Sequence, residues 1–186
     1  MATSLIQTIQ ETLGFPVLKK IDPNTDIPQE EIIETEQQKL AQAAIPAALI
    51  TLYKYIPKTG ANSEEDWGKF SAGWENIVPA EIRNDLAQKV SLYAGTNENT
   101  AANTLQRAGD EALRIMNENK DGAGAHIKEK LSAEKNNILL HLPAALHTGD
   151  TLRDNTIDDV TKKMEGPLSS MISSLGNVFS QSEREK

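Results

Sequence analysis

Leu40-Ala41-Gln42-Ala43-Ala44-Ile45-Pro46-Ala47-Ala48-Leu49-Ile50-Thr51-Leu52-Tyr53-Lys54-Tyr55-Ile56 is the longest apolar stretch of the chain. Leu40, Ala43, Ala44, Ala47 and Leu49 are spaced for helix packing. Upstream, Ile32 and Ile33 continue the pattern among Glu30, Glu31, Glu34 and Glu36. Acidic residues suit the positive end of a helix dipole, so one long helix is expected from Pro28 or Gln29 to about Tyr55. Pro46 has no N–H and its ring crowds the carbonyl of Gln42, which predicts a kink or a break. Gln42, Pro46 and Lys54 interrupt the run, and a bilayer needs about 20 apolar residues, so no membrane span is expected.

Part of this stretch returns. Pro46-Ala47-Ala48-Leu49-Ile50-Thr51 is echoed by Pro143-Ala144-Ala145-Leu146-His147-Thr148. The echo predicts two similar proline-bearing central helices, in related halves 1–121 and 122–180 of one helical domain. Residues 181–186 read as a frayed tail. A second reading puts each proline at the first turn of a new helix.

The rest of the chain is helical in pattern too. Leu5, Ile6, Ile9 and Leu13 form one stripe that Gly14 can end. Residues 15–28, with three prolines, read as an ordered arm packed through Phe15, Val17, Leu18, Ile21 and Ile27. Ser63 can cap a helix carrying Trp67, Phe70 and Trp74. Pro79 opens a helix with Ile82, Leu86, Val90 and Tyr93 on one face and Gly95 as its stop. Residues 96–100 read as a polar turn. Ala101, Leu105, Ala108, Ala112, Ile115 and Met116 then mark a helix whose small residues allow close approach. Asp121-Gly122-Ala123-Gly124 is a breaker. Beyond it come a short helix over 125–131, a helix capped by Ser132 with Ile138, Leu139, Leu142 and Leu146, and a turn over 149–155. Two further helices follow, one with Ile157, Val160 and Met164, the other with Leu168, Met171, Ile172, Leu175, Val178 and Phe179. No period-two alternation persists over five residues. The expectation is an all-α bundle of about eight or nine helices.

Composition narrows the function classes. The chain has 186 residues, a net charge of -8 and no cysteine. Thiol catalysis, cysteine metal sites and disulfides are excluded. An acidic surface repels phosphate backbones, so no nucleic-acid partner is expected. The N-terminal residues lack the basic and apolar segments of a signal peptide, which predicts a cytoplasmic protein.

No chemical motif is complete. Asp22-Pro23-Asn24-Thr25-Asp26 starts like a calcium loop, but Ile27 stands where glycine is needed and Ile33 where a bidentate glutamate is needed. His141 and His147 are six residues apart, not the four of a helical zinc pair. No histidine follows an acidic residue by three, as a carboxylate-bridged metal bundle requires. The acidic cluster reads as a solvated helix face. No metal or cofactor is expected. Trp67, Phe70 and Trp74, spaced i, i+3 and i+7, read first as a core anchor and second as a ligand or partner patch, together with Pro46, Pro143, His141 and His147.

One stretch carries a family resemblance. Residues 127–177 hold a Leu-rich segment with Leu142-Pro143-Ala144-Ala145-Leu146, a glycine-containing turn, and an apolar segment from Leu168 to Gly176. This resembles the YidB-like family of bacterial helical proteins. The resemblance implies an all-α fold and brings no catalytic residue. The functional expectation is a non-enzymatic interaction or scaffold protein, binding a protein partner or itself. The alternatives are a small apolar-ligand binder with a groove near Trp67, Phe70 and Trp74, and an unrecognised hydrolase using His141 or His147.

Overall fold

The computed structural model describes residues 4–21, 35–56, 73–118, 124–154 and 157. Seven α-helices and one 3₁₀ turn pack together, with no strand among the described residues. They are α1 (Leu5–Leu13), α2 (Glu36–Tyr55), α3 (Trp74–Ile77), α4 (Ala80–Ala94), α5 (Glu98–Glu118), α6 (Gly124–Leu139), the turn Ala144–Leu146 and α7 (Thr148–Leu152).

Helix α2 is the axis, and it touches every other described helix. Each of its residues in 40–52 is buried, on all sides of the helix. A helix enclosed all round has to be apolar all round, and the alanine-rich run meets that demand. Alanine also lets neighbours approach closely. The two polar side chains in this span are satisfied: the Thr51 hydroxyl donates to the Ala47 carbonyl at 2.7 Å, and Gln42 is bonded as described below. Thr35 and Gln38 form a reciprocal capping box at the N-terminus of the helix.

Pro46 lies inside α2, and the helix runs through it. A proline in a helix interior costs about 3 kcal/mol. Leu40, Ile45, Leu49, Ile50 and Leu52 of the same helix are all buried, and each contributes on the order of 1.5–3 kcal/mol. Packing outweighs the proline.

Pro143 does not lie inside a helix as Pro46 does; as in the second reading, it stands at the start of a new helical turn. It lies outside any helix, with φ -64° and ψ 127°, immediately before the 3₁₀ turn. The missing N–H and the extended bias on Leu142 stop α6 at Leu139. The Leu139 carbonyl instead accepts the Leu142 N–H at 3.3 Å. The two echoed hexapeptides therefore have different backbones, one mid-helix and the other in a corner.

Other local expectations shift less. α6 is continuous over what was expected to be two helices, and Ser132 is an exposed mid-helix residue rather than a cap. α5 starts at Glu98, inside the expected polar turn, because the Asn97 side chain accepts the Thr100 N–H at 2.9 Å. Residues 148–152, largely inside the turn expected over 149–155, form a short helix. α1, with Ser4 as cap and Gly14 at φ 72°, and α4, with Gly95 at φ 73°, lie as expected. No described helix is long and apolar enough to cross a membrane.

α3 shows how tightly the layers fit. Gly73, at φ 96°, precedes Trp74, whose N–H donates to Asp110 Oδ1 of α5 at 2.7 Å. The Trp74 indole lies on Gly109, where a Cβ would come within 2.5 Å of ring carbon Cε3. Gly109→Ala should therefore destabilise the protein by about 1–3 kcal/mol, read as a lower midpoint in urea unfolding. An unchanged midpoint would show that the ring is not seated there.

Candidate functional site

Backbone carbonyls that leave helical geometry need partners outside the helix ladder. Just past Leu139, where α6 ends, two of them are met from elsewhere in the chain. The Leu140 carbonyl accepts the Ile21 N–H at 2.7 Å. The His141 carbonyl accepts a bond from Gln42 Nε2 at 2.6 Å. Ile21 belongs to an extended strap, residues 15–21, that follows Gly14.

Gln42 holds the strap as well. Its Oε1 accepts the Lys19 N–H at 2.8 Å and its Nε2 donates to the Lys19 carbonyl at 3.0 Å. One buried amide thus joins α2, the strap and the end of α6. Gln10 of α1, also buried, accepts the Leu18 N–H at 3.0 Å. Each glutamine satisfies backbone groups that would otherwise be stranded away from water. Of the apolar residues expected to pack the arm, Leu18 is buried and Phe15 packs at the core edge, whereas Val17 is 79% exposed. Ile27 lies outside the described residues.

Beyond Pro143 the chain turns a corner that is clamped to α4. His147 takes the left-handed conformation, φ 44°. A side chain is disfavoured there, so neighbouring contacts have to hold it. Its carbonyl accepts from the Asp150 N–H at 3.2 Å and from Lys89 Nζ at 3.2 Å. Lys89 also donates to Thr151 Oγ1 at 2.6 Å and pairs with Asp85 at 3.3 Å. The Thr151 hydroxyl donates to Asp85 Oδ2. Just after the corner, Asp154 pairs with Lys54 of α2 at 3.2 Å.

The residues singled out from the sequence do not meet in one place. Trp67 and Phe70 lie outside the described residues. Trp74 is 1% exposed and faces α5, so its own indole offers no surface patch. Pro46 is enclosed in α2. Pro143 is buried at the corner. His141 is buried, and its Nδ1 lies 2.7 Å from the Asn137 carbonyl, an acceptor, so Nδ1 carries the proton. His147 contributes its backbone carbonyl to the clamp. Among the described residues, no group of three His, Asp or Glu side chains is placed to hold a metal. Gln10, Gln42 and Lys89 were not flagged in advance. The available signal was a glutamine inside an otherwise apolar helix.

A third charged contact lies within α5, near α1. Arg114 grips Glu111 with two bonds, Nε to Oε2 at 2.8 Å and Nη2 to Oε1 at 2.5 Å. The bond from the Arg114 guanidinium holds the Glu111 carboxyl below its ordinary value of 4.5, more strongly than burial raises it; the Arg114 charge and the Thr12 hydroxyl of α1 add to the lowering.

No family model, curated protein or solved structure matches the chain.

Two outcomes follow from this geometry. Lys89→Met should cost about 1–3 kcal/mol in urea unfolding, because the His147 carbonyl and the Thr151 hydroxyl each lose a charged donor; equal stability would remove the clamp from the account. A carboxyl with a lowered folded pKa contributes stability that is complete above its unfolded value and fades as pH falls through the folded value. The stability advantage of the wild type over Glu111→Gln should therefore be full above pH 4.5 and shrink on acidification below it. A gap that widened in acid would contradict the pairing.

Proposed function

We propose that the chain is a non-enzymatic interaction or scaffold protein that binds a protein partner or a second copy of itself. The supporting observation is how its reactive side chains are used. The Lys89 ammonium contacts Thr151, Asp85 and the His147 carbonyl at once. Gln42 bonds three backbone groups, and His141 Nδ1 is committed to Asn137. These groups hold segments of backbone in place, which is the role polar side chains have in a rigid frame. The exposed aliphatic side chains of Leu92, 77% exposed on α4, and Val17, on the strap, add apolar points to the outer surface.

The YidB-like resemblance belongs to the same proposal. It is supported by the Leu-Pro-Ala-Ala-Leu segment, in which Leu142 and Leu146 are buried anchors of the corner. A count of eight or nine helices rests on the sequence pattern beyond residue 157, in Val160, Met164, Leu168, Met171, Ile172 and Leu175.

Light scattering over a concentration series, with affinity capture from cell extract, tests the reading. A mass of at least twice the monomer, or a partner captured stoichiometrically, is the expected result. A chain that stays monomeric and captures nothing contradicts it.

A further inference from the structure

The strap and the corner are far apart in sequence, yet one side chain serves both. Gln42 reaches Lys19 on one side and the His141 carbonyl, 99 residues further along the chain than Gln42 itself, on the other. The strap returns the contact through Ile21 N–H to the Leu140 carbonyl. The two residues that follow α6, Leu140 and His141, are thus held by groups from elsewhere in the chain, the strap and Gln42.

The strap has few apolar anchors. Leu18 is buried, Phe15 packs at the core edge and Pro16 and Ile21 are half-buried, whereas Val17, Lys19 and Lys20 are exposed. Its retention rests on hydrogen bonds, each with a modest net contribution. Gly14, at φ 72°, stands at its start, and no atom lies within 4 Å of the position a Cβ would take there. Segments with few buried apolar contacts open locally before the whole molecule unfolds.

We propose that the strap and the end of α6 form one cooperative latch, with Gln42 as its catch. When the strap lifts, Leu140 loses its cap and Gln42 loses both bonds to Lys19. The turn that follows α6, residues 138–142, then loosens in the same event. That turn rests on two short-range bonds, His141 N–H to the Ile138 carbonyl at 3.1 Å and Leu142 N–H to the Leu139 carbonyl at 3.3 Å. The open latch exposes the Gln42 amide and the carbonyls of Leu140 and His141 together, beside the corner that Lys89 keeps fixed to α4. The bundle built on α2 stays closed. The latch is a two-state element independent of the scaffold reading.

Residue-resolved hydrogen exchange on the full chain tests the coupling. Lys19→Pro removes one strap donor without touching the core. Gln42→Met removes the catch at similar volume. In Lys19→Pro the amides of Ile21, His141 and Leu142 should all exchange faster, by roughly tenfold, while Leu105 and Ala108 of α5 keep their wild-type rates. Gln42→Met should accelerate the same set further. If Ile21 accelerates but His141 and Leu142 do not, the strap is an independent tether and the latch is refuted. Equal acceleration in α5 means only global unfolding, and no acceleration anywhere means no catch; either result also refutes it.

Discussion

Complete enclosure of α2 over residues 40–52 is the constraint from which the other features follow. A helix with no solvent face needs neighbours on every side, and α1, α4, α5 and α6, with the short α3 and α7, supply them. Its alanines set how close those neighbours come. Its large aliphatic residues supply the driving force that keeps Pro46 within a helix. Any polar atom placed in this span has to find a partner inside the protein. Gln42 does so by bonding the strap and the end of α6, and the same bonds fix where those segments lie.

The surrounding parts are fastened by specific polar contacts as well as by shape. Asp110 receives the Trp74 N–H while Gly109 receives its ring, so one turn of α5 places α3. Lys89, Asp85 and Thr151 fix the corner after Pro143 against α4. Surface ion pairs contribute little on average, whereas hydrogen bonds from a charged donor contribute more. Lys89 makes such bonds to the His147 carbonyl and the Thr151 hydroxyl as well as pairing with Asp85.

Much of the fold was legible because its signals are local. Gly14 and Gly95 end α1 and α4 in the left-handed conformation expected of them, and Pro79 stands at the start of α4. The proline echo misled for a physical reason. The two hexapeptides, alike at five of six positions, are α-helical in α2 and form a 3₁₀ turn leading into α7 where the preceding helix ends, so context decided against local similarity. The division of α6 at Ser132 failed similarly: serine favours a cap but does not forbid a helix interior. The site was least legible. Gln42 meets His141 only through the tertiary fold, and periodicity carries no sign of that meeting. Trp74, expected on one helix with Trp67 and Phe70, instead opens α3 after Gly73 and lies in the core.

Because the chain has no cysteine, the enclosure of α2 can be measured by introducing one. Ala47→Cys places a thiol where the side chain is fully buried, and Gln88→Cys places one on the exposed face of α4. Under native conditions a thiol reagent should label Gln88→Cys rapidly and leave Ala47→Cys unreacted until denaturant is added. Comparable native labelling of the two variants would contradict an enclosed α2.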